Sequence, residues 1–417
     1  MYNNITPGPR LLLTTLGLAF VATGILSTVP GASLLQLAQN THVTLAVAGG
    51  AFMASAFGFL LSALLAGSFP NLVQPKYLLA SGLLIMGIGS ILTPCTDSFA
   101  LLLFGQILRG AGAGLINIGL NTIATLSFRE TLSAKLNTIH GMYGLGALLG
   151  PLVLAFGLQF FQSLALAYMV GAILAAAASA LALAQHLPAS PRSNRVQERP
   201  ANTRELRNVL RQSLLWMMVL QISLYASAEI GFGSWIVTAV NQSSGISLAL
   251  AAPVATAFYI GLTCGRLGGG ALLKRARITE RRLLYTSIFG GTVAGLVVAF
   301  FPGQLLVSYI GSILVGCFYG PLFPSIMSIT SRRFLHVLGP VSSMMMVGNG
   351  LMTMIVPTSM GELIPILHIN WVIAIPALLC LSMLLPMALA NRAQRTTLQL
   401  SVEQHTMEIT AELPVIQ

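Results

Sequence analysis

The fold is decided by two stretches that match each other 206 residues apart, Gly105-Gln-Ile-Leu-Arg-Gly-Ala-Gly-Ala-Gly114 and Gly311-Ser-Ile-Leu-Val-Gly-Cys-Phe-Tyr-Gly320. Two further glycine pairs repeat at nearly the same offset, namely Gly58 and Gly67 with Gly261 and Gly270, and Gly144 and Gly146 with Gly348 and Gly350. Glycine lets helix backbones approach closely in lipid, where no hydrophobic force drives helices together. The pattern therefore predicts a duplicated bundle of membrane helices.

The composition also requires a membrane. Of the 417 residues, 55% are hydrophobic and only 7% are charged, which excludes a water-soluble globular protein. The formal charge of +11 is spread thinly between apolar runs, so it argues against a nucleic-acid partner and for a membrane surface. The four cysteines lie in or at the ends of apolar segments without metal-ligand spacing, so we expect packing roles and no metal or other cofactor.

Apolar runs of about 20 residues predict twelve transmembrane helices. They cover residues 11–35, 43–67, 77–95, 98–124, 134–158, 162–184, 213–240, 247–272, 282–300, 303–328, 337–361 and 370–390. The fold class is therefore an all-α membrane protein with two pseudo-symmetric six-helix bundles. We expect an N-terminal bundle at 1–184, a cytoplasmic linker at 185–212, a C-terminal bundle at 213–391 and a cytoplasmic tail at 392–417. Asn202 and Glu205 predict a short helix in the linker, with a solvated hinge as the alternative.

The distribution of Lys and Arg residues predicts how the chain is oriented in the membrane. Nineteen of the 21 Lys and Arg residues lie in alternate loops or at the termini, and the other two, Arg109 and Arg266, lie inside predicted helices. The positive-inside rule then places both termini in the cytoplasm. We expect a multi-pass protein of the plasma (inner) membrane.

Predicted helix seven carries the most informative polar stripe. Gln221, Tyr225, Glu229 and Phe232 follow helical spacing, and Trp235 falls close to the same line. Glu229 is the only acid in the middle of a span, where a charge costs at least about 2.5 kcal/mol. A carboxylate with an amide and aromatic rings suits a polyhydroxylated ligand, because rings stack on sugar C–H groups while polar groups bind hydroxyls. The alternative is a hydrogen-bonded stripe between helices.

Other candidate substrate contacts are Gln106, Asn117 and Asn121 in helix four, Asn137, His140 and Tyr143 in helix five, and Asn349 in helix eleven. Arg109 and Arg266 are candidate structural or gating charges. A rise of about 1.5 Å per residue puts Glu229 and Arg109 at similar depth, about 24 and 23 Å from the inner ends of their helices. Arg266 lies within about 10 Å of the inner end by the same estimate. Arg109 is a cation for Glu229 if the two side chains meet, whereas Glu229 has no obvious cation if Arg109 packs into its own bundle.

Two segments resemble the major facilitator superfamily, and within it the fucose-permease branch of sugar permeases. Leu136-Asn-Thr-Ile-His-Gly-Met-Tyr-Gly-Leu-Gly-Ala-Leu-Leu-Gly-Pro151 is similar to the fifth helix of that branch, and Tyr225-Ala-Ser-Ala-Glu-Ile-Gly-Phe-Gly-Ser-Trp235 to its seventh. The resemblance implies the major facilitator fold, with two bundles that rock about a central site lined mainly by helices one, four, seven and ten. It also implies alternating access.

The sequence departs from that pattern where proton coupling is concerned. Proton-coupled fucose permeases carry acids in helices one and four, whereas helix one here has none and Asn117 stands at the helix-four position. Glu229 is then the candidate proton-coupling residue, unless His140 carries the proton. The missing acids favour a facilitator over a proton-coupled symporter.

We therefore expect a secondary transporter, not an enzyme, for a sugar or similar neutral polyhydroxylated solute. Its other partners are the lipid bilayer and, if transport is coupled, protons, and we expect it to act as a monomer. The alternative is a multidrug or amphiphile exporter of the same superfamily. That alternative rests on the methionines of helix eleven and on Gly146-x-x-x-Gly150-Pro151, which half-matches the antiporter motif of drug exporters.

Overall fold

The computed structural model describes residues 9–68, 73–128, 132–185, 187, 203–275, 278–334 and 338–390. Every regular element in these ranges is a helix. The spanning helices of the first half are α1 (Pro9–Ala32), α2 (Leu45–Ala48 and Gly50–Ser68), α3 (Pro75–Leu92), α4 (Phe99–Ser127), α5 (Leu132–Phe161) and α6 (Ala165–Ala184). Those of the second half are α7 (Ser213–Ser244), α8 (Leu248–Ala251 and Pro253–Arg275), α9 (Glu280–Phe300), α10 (Leu305–Tyr319 and Leu322–Arg333), α11 (Leu338–Val372) and α12 (Ile375–Ala390).

The predicted twelve-helix fold is confirmed. Eleven of these helices are long and apolar enough to cross a membrane, and the shorter apolar helix α12 is the twelfth. Two short helices lie outside the spans, Leu34–Asn40 after α1 and Thr203–Leu210 in the linker. The linker helix agrees with the helical alternative for that segment. Its Val209 is only 4% exposed and joins the core of the second half.

Helix α11 differs most from its predicted bounds. It was expected to end at residue 361, but it continues to His368, whose φ of 57° and ψ of 154° are not helical and interrupt it, and a short helical segment follows to Val372. Pro357 and Pro365 both lie inside it. Prolines are tolerated in membrane helices where neighbouring groups satisfy the freed backbone carbonyls. Both prolines thus lie within the helix and do not mark its end, and the indole N–H of Trp235 donates to the Pro357 carbonyl at 2.8 Å.

The internal repeat appears as equivalent helix contacts. In the first half, a methyl group on Gly58 of α2 would lie 2.1 Å from the Ile107 carbonyl oxygen of α4. In the second half, a methyl group on Gly261 of α8 would lie 2.0 Å from the Ile313 carbonyl oxygen of α10. The glycine at position 110 meets the backbone of α2, and its repeat partner Gly316 meets the backbone of α8. The matched glycines therefore pack matched helix pairs in both bundles.

Among the described residues, the core that the two bundles share lies toward one end. We call the end at which α1 begins, and at which Lys76, Arg281 and Arg332 lie, the basic end. One hydrophobic core cluster lies in the basic-end half of the first bundle, for example at Leu16 and Ile123, and includes no residue of the second bundle. A second cluster joins the remaining half of the first bundle to the whole second bundle. The bundles thus share a core toward the opposite end and are separate toward the basic end.

At the opposite end, helices of the two bundles lie close enough for residues of one bundle to contact backbone atoms of the other. A methyl group on Gly31 of α1 would lie 3.0 Å from the Ser234 Cα of α7. The Thr358 hydroxyl of α11 donates to the Gly49 carbonyl at 3.3 Å, and the Thr256 hydroxyl of α8 donates to the Leu148 carbonyl of α5 at 2.9 Å. These bonds close the molecule at the opposite end and leave a gap between the bundles that opens at the basic end.

Candidate functional site

Glu229 lies in a cluster with Tyr225 and Arg266. The Arg266 guanidinium of α8 donates to both Glu229 carboxylate oxygens of α7, at 3.1 and 3.3 Å. The Tyr225 hydroxyl donates to the same carboxylate and lies 3.4 Å from the guanidinium. The Arg266 side chain is 35% exposed and that of Glu229 is 19% exposed, so the ion pair is accessible from the gap.

Of the two alternatives for Glu229, the one in which it pairs with Arg109 is not what the structure has. Arg109 does not meet the carboxylate, and Arg266 does. From the opposite end of each helix, about 1.5 Å per residue places Glu229 about 22 Å deep and Arg266 about 27 Å deep. The long arginine side chain spans the remaining 5 Å or so. We expected Glu229 to have no obvious cation if Arg109 packs within its own bundle. The Glu229–Arg266 pair corrects that expectation.

Arg109 holds three helices of the first bundle together. Its guanidinium donates to the Gln106 side chain at 2.7 Å, to the Ser55 hydroxyl of α2 at 2.7 Å and to the Leu26 carbonyl of α1 at 3.3 Å. Gln106 in turn donates to the hydroxyl of Thr93, the residue that follows α3, at 3.0 Å and is fully buried. Within the described ranges no carboxylate pairs with Arg109. Arg109 and Gln106 thus serve the bundle interior and do not line the gap.

The ion pair lies at the apex of the gap, where α5 and α8 part. At Gly144 of α5, a methyl group would lie 3.1 Å from the Thr263 hydroxyl of α8. One turn closer to the basic end, methyl groups on Gly141 or Gly268 would have open space around them within 4 Å. Arg266 lies on this open side of the α5–α8 crossing, which is why its side chain is part-exposed.

Two residues of α5 face the ion pair from the first bundle. His140 is exposed, and its ring lies 5.1 Å from the Phe20 ring of α1. Tyr143 packs edge-on against the same ring at 6.0 Å and lies within electrostatic range of Glu229 and Arg266. The structure therefore brings His140 and Tyr143 to the apex of the gap.

The remaining amide residues of the first bundle lie further toward the basic end. Asn117 is exposed, and Asn121 donates to its side chain at 3.0 Å. The side chain of Asn137 lies outside the described part of the structure. Asn117 and Asn121 are on the path from the basic end to the ion pair and not at the ion pair itself.

Gln221 and Asn349 are placed inside the second bundle. Gln221 is 3% exposed, and its side-chain nitrogen has no hydrogen-bond partner among the described residues. The side-chain oxygen of Asn349 is likewise buried and unpartnered within the described chain. Neither residue contacts the Glu229 cluster through a hydrogen bond in this conformation.

Trp235 belongs to the closure between the bundles. It is fully buried, and its ring packs over Gly361 of α11 and Gly49 of α2 and lies 5.9 Å from the Phe52 ring. With its N–H bonded to α11, the side chain offers no free face to a ligand. Trp235 therefore blocks the opposite end of the gap in this conformation.

Trp235→Ala should loosen this closure, because it removes the ring that fills the space between α2 and α11. In a Cys95→Ser background, a cysteine at Ala48, which is 2% exposed, should react several-fold faster with a water-soluble thiol reagent when Trp235 is replaced by Ala. Trp371→Ala is the matched control, since Trp371 is 58% exposed. Equal reactivity with and without Trp235 would contradict a closing role.

Two aromatic residues at the site were not predicted. Phe323 of α10 lies 6.1 Å from the Tyr225 ring. Tyr259 of α8 lies within electrostatic range of Tyr143, Glu229 and Arg266. The spacing of Thr256, Tyr259, Thr263 and Arg266 marks one helix face in the sequence, and that face could have signalled Tyr259.

A twelve-helix protein whose two bundles enclose a charged site at the apex of a one-sided gap has the architecture of a membrane transporter. The Major Facilitator Superfamily model matches residues 14–357. The chain belongs to the Major Facilitator Superfamily, and it is a transporter and not an enzyme.

Known proteins resemble this chain in sequence or in fold. Sodium-dependent glucose transporter 1 of Xenopus laevis is 22% identical over 359 residues, which cover 80% of this chain and 72% of that protein. The nucleoside transporter NupG superposes with a TM-score of 0.71 at 13% identity, over 91% of this chain and 98% of that chain. FucP in the outward conformation superposes with a TM-score of 0.59 at 19% identity, over 91% of this chain and 98% of that chain. The expected resemblance to the major facilitator superfamily is confirmed, and FucP has the same fold.

Proposed function

We propose that the protein carries a neutral polyhydroxylated solute, most simply a sugar, across the membrane by alternating access. The observation that carries the proposal is the Glu229–Arg266–Tyr225 cluster at the apex of the gap between the bundles. A carboxylate accepts hydrogen bonds from sugar hydroxyls, and a guanidinium donates to them. Because the two charges neutralise each other, the cluster suits a neutral ligand.

Aromatic rings around the cluster support the same solute class. The ring of Tyr225 lies beside that of Phe323, and Tyr143 approaches from the other bundle. Ring faces pack on the apolar C–H faces of sugars, while the hydroxyls meet the polar groups. The solutes named for the relatives, glucose for the Xenopus protein, fucose for FucP and nucleosides for NupG, each contain a hydroxylated sugar ring.

The cation distribution gives the direction in which the gap opens. Both termini and the basic end lie in the cytoplasm under the positive-inside rule, so the conformation described here faces the cytoplasm. Closing the basic end and opening the Trp235 closure would expose the same ion pair to the other side. This exchange is alternating access about a fixed site.

The orientation predicts which native cysteine is reachable from outside. Cys95 is exposed and lies two residues before Asp97 at the opposite end. In intact cells a membrane-impermeant thiol reagent should label Cys95 and, in a Cys95→Ser background, cysteines placed at Gln39 or Gln242, but not one placed at Arg195. Labelling at Arg195 without labelling at the other positions would reverse the orientation.

The ion pair also bears on energy coupling. Glu229 and Arg266 both belong to the second bundle, so rocking of one bundle against the other leaves the pair intact. The carboxylate keeps its cation in both conformations, which favours facilitated transport over proton symport. Glu229 remains the residue through which a proton would have to act if transport proves coupled.

A ligand panel on the purified protein tests the solute class. D-glucose, L-fucose and uridine should be compared with tetraphenylphosphonium, a lipophilic cation, by their effect on thermal unfolding. Stabilisation by at least one of the sugar-containing ligands, abolished by Tyr225→Ala, is the expected result. Stabilisation by tetraphenylphosphonium alone would replace the sugar proposal with an amphiphile exporter.

A further inference from the structure

Tyr259 lies on the face of α8 that is turned toward the first bundle. On that face Thr256 donates to the Leu148 carbonyl of α5 at 2.9 Å, and Thr263 lies against Gly144 of α5. Tyr259 stands between these two contacts, and Arg266 follows on the same face two turns after it. The side chain of Tyr259 is therefore held at the apex of the gap, on the side of the ion pair away from the basic end.

The backbone of α7 leaves space for the Tyr259 hydroxyl. A methyl group on Gly233 would lie 2.8 Å from that hydroxyl oxygen, closer than the two atoms can approach without a shift. Gly233 is one turn beyond Glu229 on α7. Glycine at this position thus lets the tyrosine reach across from α8 to a point directly beyond the carboxylate.

The hydroxyl is available to a ligand. Within the described residues it makes no hydrogen bond, although the Tyr259 side chain is only part-exposed. Tyr143 of the first bundle, Glu229 and Arg266 all lie within electrostatic range of it. Because this oxygen is not among the buried unpartnered atoms of the described chain, a ligand or water can reach it and form a hydrogen bond with it.

We propose that Tyr259 is a substrate-binding residue, whose hydroxyl bonds a sugar hydroxyl on the face of the ring turned away from the Glu229–Arg266 pair. The inference rests on the proposed sugar site. The ion pair binds the solute from the basic-end side, and Tyr259 with Tyr143 closes over it. Because Tyr259 and Tyr143 come from different bundles, a bound sugar touches both halves of the protein at this point.

The test is a double-mutant cycle on affinity for D-glucose and L-fucose, measured calorimetrically on the purified full chain. Tyr259→Phe keeps the ring and removes the hydroxyl, and it should weaken binding of the sugar that the wild type binds by about tenfold. Gly233→Ala pushes the hydroxyl aside and should weaken binding several-fold. In the Tyr259→Phe background, Gly233→Ala should have no further effect, because both changes act through one atom.

A matched control is Tyr309→Phe, which removes a hydroxyl that donates to the Leu250 carbonyl at 3.0 Å near the opposite end, and which should leave affinity unchanged. Monodeoxy sugars supply a second readout. The monodeoxy sugar that lacks the hydroxyl bonded by Tyr259 should bind to the wild type and to Tyr259→Phe with the same, weakened affinity. Sugar binding by the wild type that is unchanged in Tyr259→Phe, or additive effects in the cycle, would overturn the role of Tyr259 and leave the sugar proposal standing. A wild type that binds neither sugar would overturn both.

Discussion

Arg266→Met should destabilise the protein and abolish solute binding, because it leaves the Glu229 carboxylate without its cation inside the membrane. Breaking a fully buried pair costs about 3–5 kcal/mol. Since the Arg266 side chain is 35% exposed, we expect a smaller loss of about 1–3 kcal/mol in the free energy of unfolding. The measurement is thermal or denaturant unfolding in detergent, together with ligand binding.

A substitution of Glu229 tests whether the loss of stability in Arg266→Met comes from the unpaired charge. Glu229→Gln in the Arg266→Met background removes the unpaired charge, so stability should recover while solute binding stays lost. Arg275→Met, at the end of the same helix and exposed, is the control and should change neither property. An Arg266→Met protein as stable as the wild type, or a double variant less stable than Arg266→Met, would contradict the ion pair as described.

Gly110→Ala should prevent α2 and α4 from packing. The added methyl group would lie 1.8 Å from the Ser55 carbonyl oxygen, and a backbone atom cannot move aside as a side-chain end can. Overpacking usually costs about 1–3 kcal/mol and occasionally more, and we expect the upper end here. The readout is the yield of monodisperse protein and its unfolding temperature.

The repeat partner of Gly110 gives a second variant, and a glycine in open space gives a control. Gly316→Ala should have a similar effect on α8 and α10, because its methyl group would lie 2.1 Å from the Phe258 carbonyl oxygen. Gly141→Ala, in open space, should be tolerated. Equal stability of all three variants would mean that the close helix contacts are not as described.

The spans and the duplication could be predicted because both are properties of single helices. A run of apolar residues long enough for the bilayer defines a span without reference to its neighbours. The glycines at 58 and 110, and their partners at 261 and 316, predicted close packing, and the structure shows close packing at each. Gly146 and Gly150 of the antiporter-like motif also pack α5 closely on α1, so helix packing accounts for them.

The pairing within the site could not be predicted, because it depends on how helices are placed beside one another. Arg266 and Glu229 differ in depth by about 5 Å when measured from the opposite end, but predicted inner ends made the difference look nearly three times larger. The inner end of α7 was predicted correctly at Ser213, but α8 continues three residues past its predicted inner end to Arg275, which accounts for about 4.5 Å of the excess. An arginine side chain then spans what remains.

Helical periodicity also predicted a polar stripe on α7 that is longer than the part of α7 facing the gap. Trp235 falls on the line of Tyr225 and Glu229, yet only the latter two lie at the gap. Bundles that diverge toward the basic end expose a helix face along part of its length and cover the rest. The same line of residues therefore contributes binding groups at Glu229 and closure at Trp235.

The central claim is that a sugar crosses the membrane by binding at the Glu229–Arg266 pair. Uptake of radiolabelled D-glucose and L-fucose by proteoliposomes tests it most directly, with and without imposed proton and sodium gradients. We predict saturable uptake of at least one sugar that reaches equilibrium without a gradient, is not driven above equilibrium by either gradient, and is lost in Glu229→Ala. Uptake of neither sugar, or uptake that survives Glu229→Ala, would contradict the claim. Gradient-driven accumulation abolished by Glu229→Gln would keep the site and show that it couples transport to protons.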